Sequence, residues 1–180
     1  MFNKNKKEEG FTLIELMVVL VIMVALIILV LSGYSESRPR LAIERTVEAF
    51  ISNISLTREK SLNFLAYDDG ESINSCNYGI YLEEGKSNYL LFADDNLNKN
   101  YSSGETILET VEIEKPIKIK EISKSGTEIS QLSIVFSVEE GNAYFDGAEG
   151  GNATITFSSD SEDLERIITI NSFGIVEISY

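Results

Sequence analysis

The sequence predicts an α+β protein, in which one long amino-terminal helix is followed by an antiparallel β-sheet that packs on the helix's second half. Three observations predict this fold. Residues 16–31 carry no charged or polar side chain, residues 40–66 place apolar side chains at helical spacing, and short β-rich runs follow from residue 67 onward. A helix followed by many short strands is typical of an α+β domain.

The composition fits one anchor and one modest globular domain. The chain has 180 residues, of which 43% are hydrophobic, and a formal net charge of −14. This acidity disfavours nucleic acid and anionic membrane surfaces as partners. The absence of histidine removes the usual general base and the commonest metal ligand. Cys76 is the only cysteine, so no intrachain disulfide forms, and its role is left open between packing and reactivity.

The apolar run predicts a transmembrane helix over residues 11–32. Between Phe11 and Leu31 only Thr12 and Glu15 interrupt it. A helix rises about 1.5 Å per residue, so this stretch spans about 30 Å, which matches the hydrocarbon core of a bilayer. A carboxylate within such a span is costly unless it is paired, and Glu15 therefore calls for a specific explanation. The alternative is an ordinary anchor at the headgroup boundary.

Glycine and proline then predict an interruption. Gly33 and Pro39 follow the apolar run, and both residues weaken a helix, so we expect a bend or an unwound segment at 33–39. The whole of 33–66 is interpreted as an amphipathic continuation of the helix. Its predicted apolar stripe consists of Ile43, Val47, Phe50, Ile51, Ile54, Leu62 and Leu65.

The remaining residues, 67–180, are predicted to form a β-rich globular domain. Glu84-Gly85 and Phe173-Gly174 have the composition of hairpin turns. The predicted strands are 78–83, 88–93, 107–113, 117–122, 131–138, 153–158, 166–171 and 175–179.

An acidic loop within this domain has the spacing of a calcium site. Counting Asp94 as position 1, oxygen-bearing side chains recur at positions 3, 5, 7 and 12, which is the pattern of helix–loop–helix calcium loops. These residues are Asn96, Asn98, Asn100 and Glu105. Position 6 is Lys99, where the sharp turn favours glycine. A solvated turn rich in Asn and Asp is the simpler interpretation, and structural Ca²⁺ is the only cofactor that the sequence suggests.

The amino-terminal stretch carries a specific resemblance. Gly10-Phe11-Thr12-Leu13-Ile14-Glu15-Leu16 follows a short lysine-bearing leader and opens the apolar run. This arrangement resembles the processing motif of type IV prepilins and type II secretion pseudoprepilins. The resemblance implies that residues 1–10 are a leader peptide, that a prepilin peptidase cleaves between Gly10 and Phe11, and that Phe11 is then N-methylated.

The same resemblance assigns roles and partners. Glu15 corresponds to the family's assembly glutamate, which pairs with the terminal amine of a neighbouring subunit. The implied partners are other pilin or pseudopilin subunits, the prepilin peptidase, the inner-membrane assembly platform and the lipid bilayer. The implied location is the cytoplasmic membrane, with a cytoplasmic amino terminus, a single span and an exported domain, before assembly into an extracytoplasmic filament. The leader's lysines agree with this orientation.

Two further segments carry a weaker resemblance to H-type minor pseudopilins. They are 89–100 with the downstream Gly104-Glu105, and the closing segment 168–178. We therefore expect a structural subunit, a minor pseudopilin or pilin, and no enzymatic activity.

The sequence disfavours two other classes of function, whereas a major pilin stays open within the structural class. A minor pilin that binds nucleic acid during DNA uptake would need a basic patch, yet after Lys124 the only basic residue is Arg166, against ten acidic ones. A membrane-anchored enzyme is disfavoured because the sequence has neither a nucleophile elbow nor a phosphate-binding loop.

Overall fold

A computed structural model describes residues 11–63, 67–68, 73–74, 76–159 and 164–179; for residues 30–37, 67–68 and 73–74 it describes the backbone only. The described chain consists of one α-helix followed by antiparallel strands, which confirms the predicted α+β class. Contacts divide it into two compact units, Met1–Arg38 and Pro39–Tyr180. The leader, including Gly10, lies outside the described residues, as does Leu65 of the predicted stripe.

The helix, α1, runs from Leu13 to Leu62 and contains Pro39. An unwound segment at 33–39 is therefore wrong, because these residues remain helical, whereas the alternative of a bend there stays a prediction. Proline lacks one N–H group, and a long helix retains the hydrogen bonds of its other turns around such a position. The helix also ends at Leu62, four residues before the predicted end at 66.

The expected transmembrane segment, 11–32, extends into residues whose side chains lie outside the described part of the chain. Among the described residues, no helix has both the length and the apolar character needed to cross a membrane.

Thirteen strands follow the helix in the described part of the chain, and all eight predicted strands are present to within two residues at each end. Five short strands were not predicted, because segments of two or three residues are too brief to show a periodicity. In chain order the strands are β1 Tyr67–Asp68, β2 Ile73–Asn74, β3 Asn77–Glu83, β4 Asn88–Asp94, β5 Thr106–Glu112, β6 Ile117–Lys124, β7 Thr127–Glu128, β8 Gln131–Phe136, β9 Ala143–Phe145, β10 Ala148–Glu149, β11 Asn152–Ser159, β12 Glu165–Asn171 and β13 Val176–Ser179.

The strands form two main sheets, where the sequence predicted one. The six-stranded sheet has the order β10-β9-β8-β3-β4-β5, and the five-stranded sheet has the order β13-β12-β11-β6-β7, with β1 and β2 as a separate ribbon. The chain passes from one sheet to the other three times, after β5, after β7 and after β10, and β6 pairs with β11 and β7 but not with β5. Both predicted hairpin turns are confirmed: Glu84-Gly85 joins β3 to β4, and Phe173-Gly174 joins β12 to β13.

One hydrophobic core joins the second half of α1 to both sheets. From the predicted stripe, Ile43, Val47, Phe50 and Ile54 are buried, whereas Leu62 is 44% exposed. The Phe50 ring makes edge contacts with Tyr89 of β4 and with Phe157 of β11, at centroid distances of 5.2 and 5.3 Å. A single helical side chain thus packs against both sheets.

Two polar contacts also attach the helix to the sheets. The Asn53 amide donates to the Tyr89 hydroxyl at 2.8 Å, and Arg166 Nε of β12 donates to Glu44 Oε1 at 3.0 Å. Hydrogen bonds of this kind have directional geometry, so they fix the helix's rotation about its axis while the apolar contacts supply most of the stabilisation.

The Phe92 ring of β4 lies against the backbone of Gly79 in β3. A Cβ atom at this position would lie 2.5 Å from Phe92 Cζ, which is well inside van der Waals contact. Phe92 is fully buried, and its ring also makes an edge contact with Tyr101 at 5.0 Å. The absence of a side chain at Gly79 therefore sets the position of Phe92 and, through it, of Tyr101.

We predict that Gly79→Ala destabilises the protein by about 1–3 kcal/mol, the usual range for overpacking a filled core. Chemical denaturation of the fragment 39–180 measures the change. The double variant Gly79→Ala/Phe92→Leu removes the ring atoms that would clash, so its destabilisation should be smaller than the sum of the two single variants. Additive destabilisation in the double variant would show that the Phe92 contact is not the cause.

Candidate functional site

The amino end of α1 is closed by a reciprocal pair of side chains. Thr12 precedes the first helical residue, and Glu15 lies three positions later. The Thr12 backbone N–H and hydroxyl each donate to Glu15 Oε2 at 3.0 Å, while the Glu15 N–H donates to Thr12 Oγ1 at 3.3 Å. This is a capping box, which satisfies backbone donors that a helix end leaves without partners.

The capping box gives Glu15 a partner within its own chain. The expected role of Glu15 requires the amine of another subunit, whereas the structure shows its carboxylate held by Thr12. Pairing with a neighbouring amine would therefore add to this arrangement or replace it. The Thr-x-x-Glu pattern of residues 12–15 is the sequence signal for this capping box. It marks the start of the helix and gives the Glu15 carboxylate a role there.

The apolar stretch that follows is exposed on every side. Each large hydrophobic side chain from Phe11 to Leu29 is at least 49% exposed in the single chain. Soluble domains rarely expose a continuous apolar surface of this extent, and one that surrounds a helix marks contact with lipid or with other helices. Phe11, the residue expected to become the new amino terminus, is 87% exposed.

The predicted calcium loop forms a closed hydrogen-bonded turn. Asp94 is fully buried; its Oδ1 accepts the Asn98 N–H at 3.1 Å, and its Oδ2 accepts the Lys99 N–H at 2.9 Å. Asn77 Nδ2 of β3 donates to the same Oδ2 at 2.8 Å. Lys99 has a φ of 63°, so it adopts the left-handed conformation for which glycine was expected.

The structure brings four of the five predicted ligands together. Asn96 Nδ2 donates to Glu105 Oε1 at 3.0 Å, and Asn96 Oδ1 accepts the Asn98 N–H at 2.9 Å. Asn100 differs, because its side chain lines a neighbouring cavity. Within the described ranges, no group of three or more His, Cys, Asp or Glu side chains is placed to hold a metal ion.

The electrostatics of Glu105 bear on the calcium hypothesis. Burial raises the pKa of the Glu105 carboxyl, an effect that hydrogen bonds from Ser102 oppose and the charge of Asp94 reinforces. A bound divalent cation would favour the ionised form of both carboxyls. Calcium would therefore offset the cost of burying the ionised Glu105 carboxylate. Calcium binding at this loop stays a prediction.

We predict that Ca²⁺ stabilises the fragment 39–180 at neutral pH. Tenfold excess over Kd contributes about 1.4 kcal/mol, which corresponds to a rise of about 4 °C in Tm for a domain of this size. Because the raised pKa of Glu105 brings its protonation closer to neutrality, the rise should shrink as the pH falls towards that pKa. Thermal melts with calcium and with a chelator measure both effects.

Isosteric variants provide the control for the calcium melts. Glu105→Gln should abolish the response, and Asp95→Asn should retain it, because Asp95 is a neighbouring exposed carboxylate outside the predicted ligand set. Identical melts with calcium and with chelator would leave the loop as a hydrogen-bonded turn.

Comparison with protein families supports the interpretation of the amino end. Residues 5–31 match the family described as "Prokaryotic N-terminal methylation motif". The searches of curated proteins and of solved structures gave no match. The match does not distinguish the H-type subgroup from others. It covers residues 5–10 of the predicted leader, the predicted cleavage position, the Thr12–Glu15 box and the apolar run, so the amino end of the chain carries a prokaryotic N-terminal methylation motif, which supports the resemblance to type IV pilins and pseudopilins.

Proposed function

We propose that this protein is a minor subunit of a type II secretion or type IV pilus filament, most similar to H-type minor pseudopilins. The observation that carries the proposal is the apolar helix of residues 13–29, which is exposed on all sides and lies within the matched methylation motif of residues 5–31. An exposed apolar helix needs an apolar environment, which a bilayer supplies before assembly and neighbouring subunit helices supply afterwards.

The proposed pathway uses the leader, the helix and the domain in turn. The lysines of residues 1–10 keep the amino end in the cytoplasm, residues 11–32 anchor the chain in the cytoplasmic membrane, and the β-rich domain is exported. The prepilin peptidase then removes the leader, and the assembly platform transfers the subunit into the filament. The proposed role is structural, so the partners are proteins and lipid.

Glu15 connects processing to assembly in this proposal. Cleavage after Gly10 creates a cationic amine at Phe11, and the carboxylate of Glu15 in a neighbouring helix is its proposed counter-ion. Within an apolar filament interior, an unpaired charge is strongly disfavoured, whereas a pair that is also hydrogen-bonded is tolerated. The Thr12 contacts give Glu15 hydrogen bonds before the neighbouring amine arrives.

The charge of the domain favours this proposal over nucleic-acid uptake. Lys124 contacts Asp146, and Lys120 contacts Glu165, so two of the domain's lysines are already paired with carboxylates. A phosphate backbone would meet a surface of predominantly negative charge. A major pilin uses the same helix, and the proposal of a minor subunit rests on the resemblance of segments 89–100 and 168–178.

We predict cleavage between Gly10 and Phe11, which leaves a mature chain that begins at Phe11. Intact-mass and peptide mass spectrometry of protein extracted from membranes should show this amino terminus with one added methyl group. A strain that lacks the prepilin peptidase provides the control and should retain the leader. Recovery of only the full-length chain from a peptidase-positive strain would contradict the prediction.

We also predict that Glu15→Ala inserts into membranes normally but is not incorporated into filaments. The substitution removes a charge from the apolar run and with it the counter-ion for the neighbouring amine. Quantification in sheared filaments and in membrane fractions measures the two steps separately.

Thr12→Val is the matched control for Glu15→Ala. It deletes the hydroxyl of the capping box and keeps the carboxylate, so it should be incorporated nearly as well as wild type. Equal loss in both variants would assign the assembly defect to helix capping, and normal incorporation of Glu15→Ala would contradict the proposed pairing.

A further inference from the structure

A surface cavity of about 670 Å³ lies in the β-rich domain and is lined by residues of both main sheets. Three parts of the β-domain form its walls: the loop that ends in Tyr101 and Ser103, the connection from β7 to β8, and the turn at Asp146. This volume is within the range of about 300–1,000 Å³ that is typical of small-molecule sites. The proposed filament role does not use this cavity.

The cavity has an aromatic wall. Tyr81 and Tyr101 both line it, and their rings stack with centroids 4.3 Å apart and planes inclined by 26°. The Tyr101 backbone N–H donates to Ser133 Oγ at 2.9 Å, and its ring rests against Phe92, so the aromatic pair is held by the core. Such rings are rigid and offer apolar contact area together with a hydroxyl group.

Most polar side chains that line the cavity are neutral and have hydrogen-bonding groups without a partner. Among the described residues, the side chains of Asn100, Ser103 and Ser130 have no hydrogen-bond partner, and Gln131 uses only its Oε1, towards the Tyr81 hydroxyl at 3.1 Å. Burial raises the pKa of Tyr81 to about 12, so this hydroxyl stays protonated at neutral pH. Amide and hydroxyl groups that face an open cavity can donate to and accept from a ligand's hydroxyl groups.

The charged lining does not select for an ionic ligand. Asp146 is already neutralised, because its Oδ1 accepts the Ser133 N–H at 2.9 Å and its Oδ2 lies 3.3 Å from Lys124 Nζ. Glu128 is then the one carboxylate of the lining without a partner among the described residues, and no cationic side chain lines the cavity. Three neutral side chains without a partner, the free amide N–H groups of Gln131 and one carboxylate favour a neutral ligand rich in hydroxyl groups over a cation, and they disfavour an anion.

We propose that this cavity binds a neutral saccharide, whose ring packs on the Tyr81–Tyr101 pair while its hydroxyl groups bond to Asn100, Ser130 and Gln131. The apolar C–H face of a pyranose ring matches an aromatic surface, and its equatorial hydroxyl groups match the surrounding amides and hydroxyls. The site gives the exported domain a ligand that is independent of its helix.

The test is ligand-observed saturation-transfer NMR on the full chain, solubilised in a zwitterionic detergent without a sugar headgroup. The probes are maltose, cellobiose, lactose and chitobiose. Wild type should transfer saturation to the ring C–H protons of at least one of them. Pull-down with insoluble cellulose and chitin distinguishes a polymer from a free sugar: retention on a polymer without a disaccharide signal assigns an extended chain as the ligand, and the reverse assigns a short sugar.

Variants identify the cavity as the place of binding. Tyr101→Ala should abolish the signal or the retention and Tyr101→Phe should keep it, whereas Gln131→Ala should weaken binding about tenfold, as expected for one lost hydrogen bond to a buried ligand group. Asn63→Ala is the matched control, because this exposed amide lines a separate cavity of about 330 Å³ and its loss should change nothing. If Tyr101→Ala fails to fold, the exposed Gln131 and Ser130 variants test the same point.

Several results would overturn the proposal. One is the absence of both saturation transfer and polymer retention for every probe. Another is binding that Tyr101→Ala and Gln131→Ala leave unchanged. A third is binding of an oligoarginine peptide that Glu128→Gln abolishes, without saccharide binding, because it would show that the cavity is a cation site.

Discussion

The fold of the β-domain depends on the burial of one ring, that of Phe50, between two sheets. Its neighbours Tyr89 and Phe157 belong to different sheets, so neither sheet can cover the helix alone. Loss of a buried phenylalanine typically costs about 3–5 kcal/mol, a large share of the stability of a domain this size. The Asn53–Tyr89 and Glu44–Arg166 contacts then select one orientation of the helix among those that bury the ring.

Local patterns explain why so much of the fold was predictable. The stripe from Ile43 to Ile54 and the eight longer strands each show their period within a few residues of sequence. Strand pairing depends on residues far apart in the sequence, and the prediction of a single sheet is wrong for this reason. No local pattern indicates that β6 pairs with β11. The unwinding predicted at 33–39 is wrong for a related reason, since propensity describes one residue at a time while the helix runs without a break from Leu13 to Leu62.

The two candidate sites differ in the same way. The amino-terminal motif is contiguous, so the sequence predicts its cleavage position, and the structure adds only the Thr12–Glu15 contacts. The cavity, in contrast, is assembled from three segments separated by tens of residues. Tyr81, Tyr101 and Gln131 have no sequence relationship that marks them as neighbours, although a glycine inside a strand, here Gly79, is a signal that another group packs closely against the backbone there.

The turn that begins at Asp94 connects the core to the cavity. Its hydrogen bonds account for its Asp and Asn residues without a metal ion. Asp94 is buried and accepts three hydrogen bonds, one of which comes from Asn77 on the adjacent strand, so the start of the loop is fixed to the sheet. Asn98 accepts the Asn100 N–H at 2.8 Å, and the chain then places Tyr101 against Tyr81. An aspartate at this position is therefore required for the shape of the loop whether or not calcium binds. Glu105 bonds to Asn96 and Ser102 within the loop and not to the sheet. Its substitution therefore separates calcium binding from the structural role of Asp94.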